Sequence, residues 1–341
     1  MNPLLFHGGA LDAASERFGV PASGWLDLST GIAPYAYPVD DLPGDAWTRL
    51  PLGSDTRAFV EAVRQGHDLP DTVAVLPTAG EQGALQVLPL CDLPPGPVAV
   101  PEPGYTGHAD AWSLYGRTVI ASPRPLDHAG NAAVVVVINP NNPTGEQTGV
   151  VDLLEAARKQ AAIGGLLVVD EAFAEVTPDA SVLPFSGRPG LLVLRSFGKF
   201  FGLPGIRLGW VAGPAPTVAD LETRLGPWNV SGPALAVGAR AERDQAWRTA
   251  QRQRLRRQGR LLEDLLENCG YPVVGGTDLF KLARTPRLKP APQVFEALAR
   301  RGILVRAFRD RPDLLRFGLF GTEAEGERLR LTLQMISRSR A

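Results

Sequence analysis

The strongest constraint on this chain is a rhythm in its middle third. Short runs of uninterrupted apolar residues alternate there with longer stretches of helical periodicity. Residues 132–139 (AAVVVVIN), 165–170 (GLLVVD) and 190–195 (GLLVLR) show no polar alternation, which is how strands buried on both faces read. Between the first two runs, residues 150–163 place apolar side chains at helical spacing. Strand–helix–strand repetition calls for right-handed crossovers and a mainly parallel sheet covered on both faces. The expected fold class is α/β.

Past about residue 235 the texture changes. Residues 239–268 read as one long helix with a basic stretch, Arg252, Arg254, Arg256, Arg257 and Arg260, followed at once by Glu263, Asp264 and Glu267. Mixed charge of that kind reads as a solvated helix face, not a nucleic-acid surface. Strand-like pieces at 279–283, 303–307 and 314–319, with helices at 292–301 and 323–338, predict a smaller α+β domain. The expected division is an N-terminal segment over 1–30, a large α/β domain over 31–235 and a small domain over 236–341. A net charge of −1 on 341 residues gives no field to gather nucleic acid or an anionic membrane. No apolar run approaches the roughly 20 residues of a spanning helix. Residues 1–9 lack both a basic start and an apolar signal core, so export is not expected. The two cysteines, Cys91 and Cys269, have no CxxC spacing, which argues against a disulfide framework and for a reducing cytoplasm. His7, His67, His108 and His128 show no ligand-like spacing, so no protein-built metal site is expected.

Four segments carry the chemistry. In 196–209 (SFGKFFGLPGIRLG), Lys199 follows a buried strand amid small and aromatic residues. Desolvation there lowers an ammonium pKa and frees a nucleophilic amine; the alternative is a surface lysine in a glycine-rich loop. Ser196 and Arg207 flank it, a hydroxyl and a planar fork of donors suited to a phosphate monoester. In 168–173 (VVDEAF), Asp170 ends a buried parallel strand, where open α/β sheets place ligands. An aspartate there either pairs with a protonated ring nitrogen or caps a helix. In 139–145 (NPNNPTG), Asn142 sits in a sharp turn from which it can donate to a phenolate oxygen. In 76–82 (LPTAGEQ), a strand runs through small residues into a helix whose first N–H groups, at Gly80 and Glu81, can cradle phosphate.

Taken in order, these segments resemble the fold-type I enzymes that use pyridoxal 5′-phosphate (PLP), the aspartate aminotransferase superfamily. The resemblance covers nearly the whole chain. It implies that Lys199 carries the cofactor as an imine, that Asp170 pairs with the pyridine nitrogen and that Asn142 binds the ring oxygen. It further implies that Gly80, Glu81, Ser196 and Arg207 hold the phosphate and that Tyr105, in 101–105 (PEPGY), stacks on the ring. Arg316, in 314–319 (LLRFGL), matches the superfamily's clamp for a substrate carboxylate. Arg306, in 303–308 (ILVRAF), matches the position at which histidinol-phosphate aminotransferases bind the substrate's phosphate. Superfamily members are usually homodimers.

The N-terminus narrows the resemblance. His7-Gly8-Gly9 and the segment 26–34 (LDLSTGIAP) are similar to threonine-phosphate decarboxylases of cobalamin biosynthesis, which implies that His7 and Gly8 help to bind a phosphorylated substrate. Phe173 stands where aminotransferases usually carry a tyrosine on the ring oxygen, and Leu50 where relatives carry a tyrosine that reaches the neighbouring subunit. Both losses weaken the transaminase reading. Decarboxylation of L-threonine O-3-phosphate is the expected reaction, and a histidinol-phosphate or other aminotransferase is the rival. A PLP-binding regulatory module would need a DNA-binding segment ahead of the fold, and fold-like sequence begins by about residue 7.

Overall fold

The unbroken valine and leucine runs become the central strands of a seven-stranded sheet. A computed structural model describes residues 8–338. In chain order its strands are β1 (Leu26–Leu28), β2 (Ala74–Ala79), β3 (Val98–Pro101), β4 (Val119–Ser122), β5 (Val134–Ile138) and β6 (Leu166–Asp170). There follow β7 (Leu191–Ser196), β8 (Leu208–Gly213), β9 (Val273–Thr277), β10 (Phe280–Arg284), β11 (Ile303–Ala307) and β12 (Leu314–Gly318). The larger sheet has the order β2-β8-β7-β6-β5-β3-β4. It is parallel from β4 to β7, while β8 runs antiparallel to both β2 and β7. The α/β expectation is borne out.

Every residue of β5 and β6 is buried, and each of their valine, leucine and isoleucine side chains contributes about 1.5–3 kcal/mol of gross burial. The helix Val150–Ala162, read from its periodicity, turns Leu153, Ala156 and Ala157 inward. Its buried Gln160 serves loop backbone: Nε2 donates to the Ala132 carbonyl at 3.0 Å, and Oε1 accepts from the Gly130 N–H at 2.7 Å. That satisfies polar groups that would otherwise be buried at a cost.

The chain divides into two compact units, Ala36–Gln251 and the described parts of Met1–Tyr35 with Arg252–Ala341. The second unit holds a five-stranded sheet, β1-β11-β12-β10-β9. In it the N-terminal β1 pairs in parallel with β11, Leu26 opposite Ile303. Strand β9 (VVGGT) was not read from sequence, because Gly275 and Gly276 interrupt its pattern. The single helix expected over 239–268 is two, Gly232–Arg243 and Gln245–Asn268. Asp244 divides them at ψ 73°. Its carboxylate accepts from the Trp247 N–H at 2.9 Å and from the Tyr37 hydroxyl at 3.3 Å, so the aspartate caps a new helix instead of continuing the old one. No helix among the described residues is long and apolar enough to cross a membrane.

Candidate active site

The loop from β2 into the helix Gly80–Val87 is shaped by two glycines. Gly80 has φ +68°, and a Cβ there would lie 2.5 Å from Arg207 Nη2. Arg207 is itself left-handed at φ 52°, a strained conformation for a side-chain-bearing residue, and its Nη1 donates to the Pro204 carbonyl at 3.0 Å. A Cβ on Gly209 would collide with the Glu81 backbone nitrogen. Glycine at both places lets the start of β8 pack beneath the first turn of the helix. The guanidinium of Arg207 is thereby brought beside that turn's N–H groups, a combination of donors that suits an anion. Ser196, at the end of β7, pairs with Gly209 across the sheet and so joins this group.

Asp170 ends β6 and is 3% exposed. Its Oδ1 accepts from the Ala172 N–H at 2.9 Å, and its Oδ2 lies 2.9 Å from His108 Nε2. Burial pushes the carboxyl up, but the hydrogen bond and charge of His108, with hydrogen bonds from Glu81 and the Ala172 N–H, together outweigh it and hold Asp170 below the ordinary range. His108 lies on the helix Gly107–Leu114, fully buried, with no hydrogen-bond partner at Nδ1. Sequence reasoning missed it. The signal was its position three residues after Tyr105, in the first turn of the helix that follows. Tyr105 donates to Gln82 Oε1 at 3.0 Å and stands edge-on to His108, ring centres 6.1 Å apart. A Cβ at Gly107 would collide with the Tyr105 ring. Burial, then the neighbouring carboxyl groups of Glu81 and Asp170, push the phenol up to about 12. Glu81, expected at the phosphate, sends its side chain toward Asp170. One ligand-type atom each from Glu81, His108 and Asp170 lie within 4.8 Å of one another.

Lys199 lies in the short turn Phe197–Phe200 directly after β7. Its Nζ is 5.7 Å from the centre of the Phe173 ring, which is itself 3% exposed. Asn142 follows β5 in a turn that its neighbours wire in place. Asn141 Nδ2 donates to the Pro103 carbonyl and to Thr144 Oγ1, both at 3.0 Å. Asn139 Oδ1 accepts from the Thr148 N–H at 2.9 Å. Lys199, Asp170, Asn142, Ser196, Gly80 and Arg207 thus occupy strand ends or helix starts of one sheet.

Behind these strand ends runs a buried charge network that the sequence did not disclose. Arg195, the residue before Ser196, lies 3.1 Å from Glu171, the residue after Asp170, and 3.1 Å from Glu175. Glu175 also meets Arg248 at 3.2 Å, and Glu242 meets His67 at 3.1 Å. The groups are too far apart in sequence to be paired by spacing.

The remaining candidates lie in the other unit. Arg306 and Arg316 are directly opposite each other on β11 and β12. Arg316 is 6% exposed, and its Nη2 donates to the Ser29 carbonyl at 2.7 Å. Burial and the like charge of Arg306, opposed by Asp27, bring Arg316 down to about 9; burial lowers Arg306 as well. Gly8 lies against the Ser29 carbonyl, where a Cβ would not fit. The Gly9 N–H donates to Ser29 Oγ at 2.7 Å, and that hydroxyl donates to Asp27 Oδ1 at 2.5 Å. His7 lies outside the described residues.

A family model described as aminotransferase class I and II matches residues 54–333. A threonine-phosphate decarboxylase of Pseudomonas aeruginosa is 42% identical over 328 residues, 96% of each chain. One from Sinorhizobium is 38% identical over 96% of this chain and 97% of its own. The histidinol-phosphate aminotransferase of Sinorhizobium meliloti, solved in complex with pyridoxal-5′-phosphate, superposes with a TM-score of 0.80 at 19% identity, over 99% of this chain and 97% of that one. That likeness extends to the fold.

Proposed function

We propose that this chain, which belongs to the class I and II aminotransferase family, decarboxylates L-threonine O-3-phosphate, with PLP as its cofactor. The observation that carries the reading is 42% identity to a threonine-phosphate decarboxylase across 96% of both chains. The residues present fit the cofactor. The cradle of Gly80 and Arg207 suits its phosphate, and the buried, ionised Asp170 suits a protonated ring nitrogen. Lys199 on the neighbouring strand end supplies the amine.

When bound, PLP supplies an aldehyde that condenses with amines and a ring that accepts the electron pair left at a substrate's Cα. The Gly80–Glu81 N–H groups, Ser196 and Arg207 would hold the phosphate. Asp170, oriented by His108 and the Ala172 N–H, would keep the ring nitrogen protonated, and Asn142 would donate to the ring oxygen. Phe173 would offer that oxygen no hydroxyl, and Tyr105 would supply an aromatic face for the ring. Arg316 takes the substrate's carboxylate and Arg306, with His7 and Gly8, its phosphate. Two guanidiniums on opposed strand positions repel each other, and an anionic substrate relieves that repulsion. The Cα–carboxylate bond breaks, CO2 departs without the bonding pair, and Cα takes a proton from Lys199 or water. The product is (R)-1-aminopropan-2-yl phosphate, for cobalamin biosynthesis.

A second copy of the chain belongs to the reading. Trp47, Leu50, Leu52 and Trp228 are all more than half exposed. A homodimer would cover exposed apolar side chains of this kind. The buried, unpaired Cys91 and Cys269 agree with a cytoplasmic location. The test pairs threonine phosphate alone with histidinol phosphate plus 2-oxoglutarate. CO2 and aminopropanol phosphate from the first, without any acceptor, support the reading; glutamate from the second and no CO2 from the first overturn it.

A further inference from the structure

The phosphate cradle needs only the backbone of Glu81, yet its side chain turns inward. Its Oε1 is buried with no hydrogen-bond partner, and a carboxyl oxygen of Glu81 lies within 4.8 Å of one of Asp170. Two buried carboxylates that close cannot both be ionised, so one proton is retained between them. The surrounding donors decide where. Asp170 accepts from the Ala172 N–H and meets His108 at 2.9 Å, which favours the charge on Asp170.

We propose that Glu81 is a positioning residue that keeps this proton and donates it as a hydrogen bond to Asp170. Asp170 then presents a single negative charge, held from three sides, to the ring nitrogen of PLP. The remaining groups that face Glu81 agree with this. Burial and the charge of Asp170 push the Glu81 carboxyl well up, and Lys199 opposes them only in part. Tyr105 stays neutral beside it, and Arg207 packs on the preceding residue, Gly80, within the phosphate cradle. The consequence for the cofactor rests on the reading of Asp170 as the ring-nitrogen partner; the location of the proton does not.

The test therefore has two arms. In cofactor-free protein carrying ¹³C-labelled glutamate carboxyls, the resonance lost in Glu81→Gln should be that of a protonated carboxyl at neutral pH. A lost resonance characteristic of an ionised carboxylate would overturn the proposal. In the second arm PLP binding and the pH midpoint of the cofactor's visible band are followed. Glu81→Gln, which still donates, should match the parent in both. Glu81→Leu, which cannot donate, should weaken PLP binding about tenfold or more and move the midpoint. Identical behaviour of the Gln and Leu variants would remove the positioning role. Asp170→Asn is the control: PLP affinity and midpoint unchanged in it would unseat Asp170 from the ring nitrogen, while the proton on Glu81 would still be decided by the carboxyl resonance.

Discussion

Replacing Gly80 with alanine perturbs the phosphate cradle through one added carbon, in two ways that are measured separately. The first is conformational. Gly80 has φ +68°, and a residue with a Cβ pays roughly 1–2 kcal/mol to remain left-handed. That cost is present with or without ligand, so it lowers the melting temperature and not the affinity. The second is steric. The new Cβ would stand 2.5 Å from Arg207 Nη2, so the guanidinium must leave. One charge-assisted hydrogen bond to phosphate goes with it, a loss of about 1.5–3 kcal/mol, or roughly 10- to 150-fold in affinity for PLP. Pyridoxal, which lacks the phosphate, should bind the variant and the parent equally. Equilibrium binding of both ligands, followed by their absorbance, reads the difference directly. An equal loss for PLP and pyridoxal would refute the assignment of Arg207 to the phosphate. No loss for either would refute the cradle itself.

Three further outcomes are expected. Lys199→Ala should abolish the covalent link to PLP, and borohydride reduction of the parent followed by peptide mapping should place the pyridoxyl group on Lys199 and on no other lysine. His108→Phe should raise the acid-unfolding midpoint. Asp170 is held low in the folded chain, so its stabilisation is in place above the unfolded carboxyl value of about 3.9 and is lost as pH falls through the folded value. Without His108, burial is less well offset and Asp170 contributes less stability at neutral pH, so less acid is needed to unfold the chain, and an unmoved midpoint would count against the bond. Arg306→Gln should weaken phosphorylated substrates by about 1.5–3 kcal/mol while PLP affinity stays unchanged; equal losses with phosphorylated and unphosphorylated substrates would show that Arg306 does not read the phosphate.

The parts of the fold that could be read in the sequence are those where one local pattern dominates. Val134–Ile138 and Leu166–Asp170 are apolar at nearly every position because both faces of the sheet are covered, and Val150–Ala162 has a single buried stripe. Strand β9 was hidden because Gly275 and Gly276 carry no pattern. The break at Asp244 was hidden because an aspartate inside a charged helix looks like any other solvated residue until its carboxylate caps the next turn. The pairing of β1 with β11 joins residues nearly 280 apart in sequence, which no local signal reports. At the candidate site, the placement of Gly80, Asp170, Asn142, Ser196, Lys199 and Arg207 was legible because each sits in a motif on a strand end or helix start. His108 and the inward turn of Glu81 were not, since their direction is set by packing against Tyr105, Asp170 and Gly209. The Arg195–Glu171–Glu175–Arg248 network was invisible for the same reason, being assembled wholly by tertiary contact.

The proposed reaction turns on the bond broken at Cα being the one to the carboxylate and not the one to hydrogen. L-Threonine O-3-phosphate carrying deuterium at Cα, incubated in ordinary water with the PLP-loaded protein and no 2-oxo acid, separates the two. Mass and proton spectra of the product then report which bond was lost. Decarboxylation predicts aminopropanol phosphate that retains the original deuterium and has gained one hydrogen from solvent, in equal amount with released CO2. Deuterium washed out of Cα into water, with the carboxylate still attached, would contradict it.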